Sequence, residues 1–281
     1  MNGIFRQLLT AIAILLPAFS SQAAITCNIS SSGFATAYNP GSATANITQT
    51  SFTVTCTRGA SGDPTSVSYT VAANNGLNSV GINNRAAFGG SYIRYDDYKD
   101  GACGTQWKGS NTFADTITFS GTGIVSKTTA YWGCVTASQT GLPAGTYTDS
   151  VTITLSYGPN PQSTATNIFS VSISTPAVCN VTAAPGNIVF NYTAFTASAV
   201  TASTTFGATC TNALPYTMAL DATSGTMLGL NYTLALGAAS SVGTGSQQTI
   251  SITGTMAAGQ SGTCTVGTCT ATQARTLTIT Y

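Results

Sequence analysis

The sequence predicts an all-β protein built as two tandem β-sandwich domains. Three observations lead there: apolar residues alternate with Thr or Ser at period 2, the chain repeats itself once, and no sustained helical periodicity appears after residue 23. Segments 151–157, 216–220, 250–253 and 276–281 show the alternation of half-buried strands. Thr suits the outer face of such strands, because its β-branched side chain fits a pleated surface and is polar without charge. Turn clusters such as Asn74-Asn75-Gly76 and Gly121-Thr122-Gly123 punctuate the strands. Each half is expected to form a sandwich of about seven short strands.

Residues 1–23 read as a secretory signal, with Arg6 as the single charge, an apolar run over 8–19 and small residues at Ser21-Gln22-Ala23. That run is too short to span a bilayer. An exported chain is expected, with domains over 24–175 and 176–281. Of the 281 residues only 15 are charged, Lys+Arg 8 and Asp+Glu 7, and His is absent. No basic patch is available to displace counterions from nucleic acid. Catalysis by a His base and His-ligated zinc are excluded, and 43% hydrophobic residues argue against disorder. No nucleophile, base and orienting group form a set, so no enzyme activity and no cofactor are expected.

The repeat can be followed along the chain. Cys27-Asn28-Ile29 recurs as Cys179-Asn180-Val181, and Phe52 to Cys56-Thr57 recurs as Phe206 to Cys210-Thr211. Tyr69-Thr70-Val71-Ala72 matches Tyr216-Thr217-Met218-Ala219, Thr116-Ile117-Thr118 resembles Thr249-Ile250-Ser251, and the run ending at Tyr157 resembles the run ending at Tyr281. The offset falls from 154 to 124, so the first copy carries 30 more residues (154 − 124). Eight cysteines in an exported chain are expected to form four disulfides, with 105 possible pairings. The recurring separation favours Cys27 with Cys56 and Cys179 with Cys210, which leaves Cys103 with Cys134 and Cys264 with Cys269.

The ordered set of a Cys near each domain start, a second Cys at a strand end, Leu214-Pro215-Tyr216, and the closing strand Gly145-Thr146-Tyr147-Thr148-Asp149-Ser150-Val151-Thr152-Ile153-Thr154 resembles the spore coat U domain, in two copies. The second copy departs from the closing motif, with Ala271-Thr272-Gln273-Ala274-Arg275 in place of its lead-in. Proteins of this family include subunits of archaic, Csu-type chaperone-usher pili. The resemblance implies immunoglobulin-like, pilin-type sandwiches, with the second domain lacking one strand. The gap would be filled first by a periplasmic pilus chaperone and then, at the outer-membrane usher, by the N-terminal strand of the next pilin subunit. Strand addition of this kind draws affinity from main-chain hydrogen bonds and specificity from alternate side chains.

After residue 23 only three residues, Ala24 to Thr26, precede Cys27, too few for a donor strand. The segment from Asn167 to Pro176 lies instead just before Cys179, with Phe169, Val171 and Ile173 on one face. It is expected to complete the first domain within the chain, while a donor strand completes the second in trans. A chain that accepts but does not donate belongs at a fibre end. The expected function is therefore that of a tip adhesin for attachment and biofilm formation, secreted through the periplasm to the pilus tip at the cell surface. Alternatives are a non-adhesive coat or matrix subunit and a carbohydrate-binding tip.

The first domain is the expected contact region, since it has the longer loops and all the charges after residue 23 except Asp221 and Arg275. Leu77, Val80, Ile82 and Phe88, set among Asn and Gly without strand alternation, are candidate surface-binding residues, with Leu142 beside Pro143 a weaker one. They favour an apolar or abiotic surface, or a host surface, as partner. Tyr92, Tyr95, Trp107, Tyr131 and Trp132 are candidates for stacking on sugars. Asp96, Asp97 and Asp100 supply carboxylates that suit calcium, but their spacing matches no calcium loop and a solvated turn is the expectation.

Overall fold

The computed structural model describes residues 25–160 and 162–281; the signal reading over 1–23 lies outside the described residues. Among these no helix occurs. Ten strands make the first domain: β1 (Thr26–Ser31), β2 (Phe34–Ala37), β3 (Asn46–Arg58), β4 (Ser66–Ala73), β5 (Asn84–Phe88), β6 (Ser91–Tyr98), β7 (Phe113–Thr118), β8 (Gly123–Val135), β9 (Gly145–Tyr157) and β10 (Ser163–Thr175). Eight make the second: β11 (Cys179–Ala183), β12 (Val200–Cys210), β13 (Pro215–Leu220), β14 (Ser224–Met227), β15 (Leu230–Leu236), β16 (Ser240–Val242), β17 (Gln247–Met256) and β18 (Leu277–Thr280).

Strand alternation sets the core of the first domain. In β9 the residues Tyr147, Asp149, Val151, Ile153, Leu155 and Tyr157 are buried, while the residues between them are less so. The ten strands are continuously hydrogen-bonded in the order β1-β3-β8-β6-β5-β9-β10-β2, with β4 joining β9 to β7. Inside, Trp107 packs at 5.1 Å from Phe52, 4.9 Å from Tyr131 and 5.1 Å from Phe113, and Phe169 closes the cluster 5.6 Å from Tyr131. β10 runs antiparallel to β9 over its whole length and parallel to β2 along 171–174. Its Phe169, Val171 and Ile173 are all buried.

The second domain repeats this plan as two sheets, β11-β12-β17-β15-β14 and β16-β13-β18. Registers match between the copies. Phe52 faces Thr129 where Phe206 faces Ile250, and Asn46 faces Val135 where Val200 faces Met256. One strand further, Tyr95 faces Val135 and Tyr232 faces Met256, so Tyr95 and Tyr232 occupy the same place. Register also corrects one step of the sequence repeat. Thr116-Ile117-Thr118 lies in β7, against β4, whereas Thr249-Ile250-Ser251 lies in β17, against β12; the counterpart of β17 is β8. Short Thr-Ile-Thr runs recur in any half-buried strand, so such a match cannot identify which strand it is.

Four disulfides form: Cys27–Cys56, Cys103–Cys134, Cys179–Cys210 and Cys264–Cys269. The first and third join directly opposed residues of β1/β3 and β11/β12. Between the domains, Thr211 holds the connecting segment: its Oγ1 donates to the Pro176 carbonyl at 3.1 Å, and its N–H to that of Val178 at 2.9 Å. Asn212 Nδ2 donates to Gly141 O at 2.8 Å across the junction.

The copies differ at one edge. β9 is paired with β4 on one side and β10 on the other, but β18 is paired only with β13, and among the described residues no strand borders its second edge. Val151, Ile153 and Leu155 are fully buried, while Leu277 and Ile279 are half-buried. At the equivalent positions of the two first strands, Ile29 of β1 is 6% exposed and Val181 of β11 is 51% exposed.

Candidate functional site

The connection between β4 and β5, residues 74–83, displays apolar side chains on an ordered backbone. Leu77, Val80 and Ile82 are 79%, 56% and 64% exposed. Exposure on this scale would ordinarily drive a flexible loop to collapse, because each side chain gains about 1.5–3 kcal/mol by burial. Here the polar residues of the loop hold it open. Asn74 Oδ1 accepts the N–H groups of Gly76 and Thr152 at 3.0 and 2.9 Å. Asn75 Nδ2 donates to Gly81 O at 3.1 Å, Val80 and Asn83 exchange main-chain bonds at 3.1 and 3.2 Å, and Arg85 Nε donates to Asn78 O at 2.8 Å. Gly76 adopts φ 73°, a left-handed conformation that glycine takes without strain, and a side chain there would run into the Asp149 carboxylate.

Beneath the loop lies a buried polar network. Asp149 Oδ1 accepts Leu77 N–H at 2.9 Å and, at 3.3 Å, both the N–H and the side-chain amide of Asn78, while Oδ2 accepts Tyr95 OH at 2.7 Å. Asp96 pairs with Lys108 Nζ at 2.7 Å and accepts Asn84 N–H at 3.1 Å and Gln106 Nε2 at 3.0 Å. Lys108 also donates to Asn84 Oδ1 at 2.6 Å, and Asn84 Nδ2 donates to Asp97 Oδ2 at 3.3 Å. Asp97 is fully buried and its Oδ1 has no hydrogen-bond partner. Burial pushes its pKa up to about 7, against the pull of Lys108 and with the repulsion of Asp96 and Asp149.

The structure corrects several expectations. Asp96 and Asp97 do not form a solvated turn: Asp97 shares the inward face of β6 with Ile93 and Tyr95, and Asp96 is covered by the segment carrying Gln106 and Lys108. Asp100 is half-buried; the N–H groups of Gly104, Thr105 and Ala102 hold its carboxyl below the usual range. Among the described residues no three acidic side chains converge as a cation site. Leu142 is buried in the core, not displayed, because Pro143 O is tied down by Tyr147 OH at 3.0 Å and Thr175 Oγ1 at 2.7 Å. Phe88 is 41% exposed, its ring resting 5.5 Å from that of Tyr147 and over Gly145. Tyr95, Trp107 and Tyr131 are core residues and offer no face to a sugar; Trp132 is half-buried against Gly101, and Tyr92 lies under the Arg85 guanidinium at 4.1 Å.

Asp149, Asn84 and Lys108 were not among the sequence-derived candidates, and Tyr95 was one only as a face for stacking on sugars. Asp149 carries one readable signal, a charge at an inward position of the alternating run Tyr147, Asp149, Val151, Ile153. Lys108 and Asn84 carry none, since their partners are set by a covering loop.

Comparison with known proteins gives the following. The chain is similar to a crystal structure of the chaperone and tip adhesion subunit pre-assembly complex of the archaic Csu pili of Acinetobacter baumannii, at 11% identity and TM-score 0.45, covering 91% of this chain and 99% of that one. It is similar to the CupB6 tip adhesin of Pseudomonas aeruginosa at 13% identity and TM-score 0.41, covering 90% and 93%. Likeness to the adhesive subunit of the CFA/I fimbria of enterotoxigenic Escherichia coli covers 50% of this chain and 46% of that one, at 12% identity and TM-score 0.32. No curated protein matches in sequence. The family model for the Spore Coat Protein U domain matches residues 14–154, half of the chain and the part that carries the closing motif and the apolar loop. The chain belongs to the Spore Coat Protein U domain family.

Proposed function

We propose that this protein is the tip adhesin subunit of an archaic chaperone-usher pilus, anchored through its second domain and attaching cells to surfaces through the 74–83 loop of its first. The observation that carries the proposal is the contrast between β9 and β18 at equivalent places in the two domains. β10 covers the edge of β9, whereas among the described residues no strand covers the edge of β18, where Leu277 and Ile279 are half-buried. β10 thus completes the first domain in cis. The stretch before Cys179, where a donor strand would lie, is committed inside the molecule and unavailable to another subunit. The second domain accepts a strand from the periplasmic chaperone and then from the next pilin, by main-chain pairing along β18. The chain can then be held at a fibre end with its first domain outermost, at the cell surface.

Contact follows from the loop. Leu77, Val80 and Ile82 are exposed on a loop whose backbone is held by hydrogen bonds, so little entropy is lost when they meet an apolar surface, and abiotic surfaces are the favoured class. Replacing all three with Ser is expected to leave fibre assembly intact and to weaken attachment to polystyrene roughly tenfold or more, given the apolar area withdrawn. Fibres counted by electron microscopy, set against retained cells, check this; full attachment by such fibres would reject the loop as the contact, and loss of fibres would favour a structural subunit. A second expectation concerns the open edge. Extending the chain past Tyr281 with a turn and a second copy of the β10 sequence should raise the urea midpoint of the second domain by covering Leu277 and Ile279. An unchanged second transition would count against strand acceptance.

A further inference from the structure

We propose that Asp149 is a positioning residue that holds the 74–83 loop in its displayed form, through the half of its carboxylate that the fold itself does not need. The internal repeat separates the two halves of its role. Tyr157 and Tyr281 close equivalent strands, and Asp149 and Gln273 each stand eight residues earlier (157 − 149 and 281 − 273). Tyr95 and Tyr232 are equivalent by register, and each donates its hydroxyl to that position: Tyr95 to Asp149 Oδ2 at 2.7 Å, Tyr232 to Gln273 Oε1 at 2.6 Å. A single amide oxygen therefore suffices for this strand-to-strand clamp.

The second carboxylate oxygen is what the first domain adds. Asp149 Oδ1 receives only donors of the loop, Leu77 N–H and the two N–H groups of Asn78. An amide offers one acceptor atom and turns N–H groups toward whatever faces the other side, so Asn or Gln cannot serve Tyr95 and the loop at once. Among the described residues Asp149 has no salt-bridge partner, so its charge is balanced by these donors alone, and such charge-assisted bonds are about twice as strong as neutral ones. The second domain supports the assignment from the other direction. Its β13 and β14 are joined by residues 221–223 alone, no displayed loop exists there, and no carboxylate stands at 273.

The inference rests on the reading of the loop as the contact surface, and the experiment separates the two. In the full chain, Asp149→Asn keeps an oxygen for Tyr95 and removes the acceptor for the loop. Amide exchange at Leu77 and Asn78 should accelerate roughly tenfold or more, while amides of β9 and β10 stay protected and the tryptophan-detected unfolding transition moves little. Attachment to methyl-terminated glass should fall with it. Gly76→Ala, which displaces the loop from the carboxylate and leaves the core untouched, should give the same signature and serves if Asp149→Asn does not fold. Unchanged exchange at Leu77 and Asn78 in both folded variants would overturn the role of Asp149. Faster exchange with attachment unchanged would uphold it and overturn the contact reading instead.

Discussion

Val171→Asp is expected to unfold the first domain. Val171 is fully buried at the centre of β10, between β9 and β2, with Phe169 and Ile173 beside it on the same face. A carboxylate there would be desolvated with no cation beside it, at a cost of several kcal/mol, comparable to the whole stability of a domain at about 5–15 kcal/mol. Phe169→Ala is the milder form; it opens the aromatic cluster at Tyr131 and should cost about 3–5 kcal/mol. Both tryptophans of the chain, Trp107 and Trp132, lie in the first domain, so tryptophan fluorescence during a urea titration follows that domain alone. The Asp variant should show no native baseline, and the Ala variant an earlier midpoint. A wild-type transition in the Asp variant would mean that the segment is a linker and no part of the core.

The stability of the first domain should fall as pH rises from about 4 to 7, the reverse of ordinary acid denaturation. Asp97 has a folded-state pKa near 7 against 3.8 for an ordinary Asp, because burial penalises its charged form. Its neutral form suits the folded state, so its contribution is complete below the unfolded pKa and is lost as pH climbs through the folded one. The difference of about 3 pH units corresponds to about 4 kcal/mol between the two ends of the window. Asp97→Asn retains an oxygen toward Asn84 Nδ2 and cannot ionise, so the gap between the variant and the wild type should widen in the variant's favour from pH 4 to 7 and then level off. Asp100 and Asp115 titrate in the opposite sense, since their carboxyls are held low, but they cancel in the wild-type against variant comparison. Parallel urea midpoints for the two proteins across that range would show that Asp97 is ionised throughout in the fold.

Much of the fold was legible because sandwich strands write their burial locally. Tyr147 to Tyr157 alternates in sequence as it does in burial, and Phe169, Val171 and Ile173 share a face in both. The cysteines that recur in the repeat lie opposite one another in paired strands. Leu77, Val80 and Ile82 could be singled out because apolar residues among Asn and Gly break the strand pattern. The same logic misplaced Leu142, whose neighbours resemble a loop but whose adjacent Pro143 carbonyl is bound by Tyr147, four residues on, and by Thr175 of β10. It also misplaced Asp96 and Asp97, since a covering loop that supplies Lys108 leaves no trace near residue 96. Tyr95 and Tyr232 escaped the repeat because extra residues in the first copy shift their offset, and only register brings them together.

By itself, then, the sequence determined an all-β duplication, its strand faces, the recurring cysteines and the apolar loop, all of them set by spacing between near neighbours. Tertiary structure alone decided that β10 lies between β9 and β2, that Leu142, Asp96 and Asp97 are buried, and that Asp149 joins Tyr95 to the loop. The physical reason is that pairing along an edge and the solvation of a buried carboxylate depend on groups far apart in the chain, whose meeting is fixed by the packing of strands and carries no local periodicity.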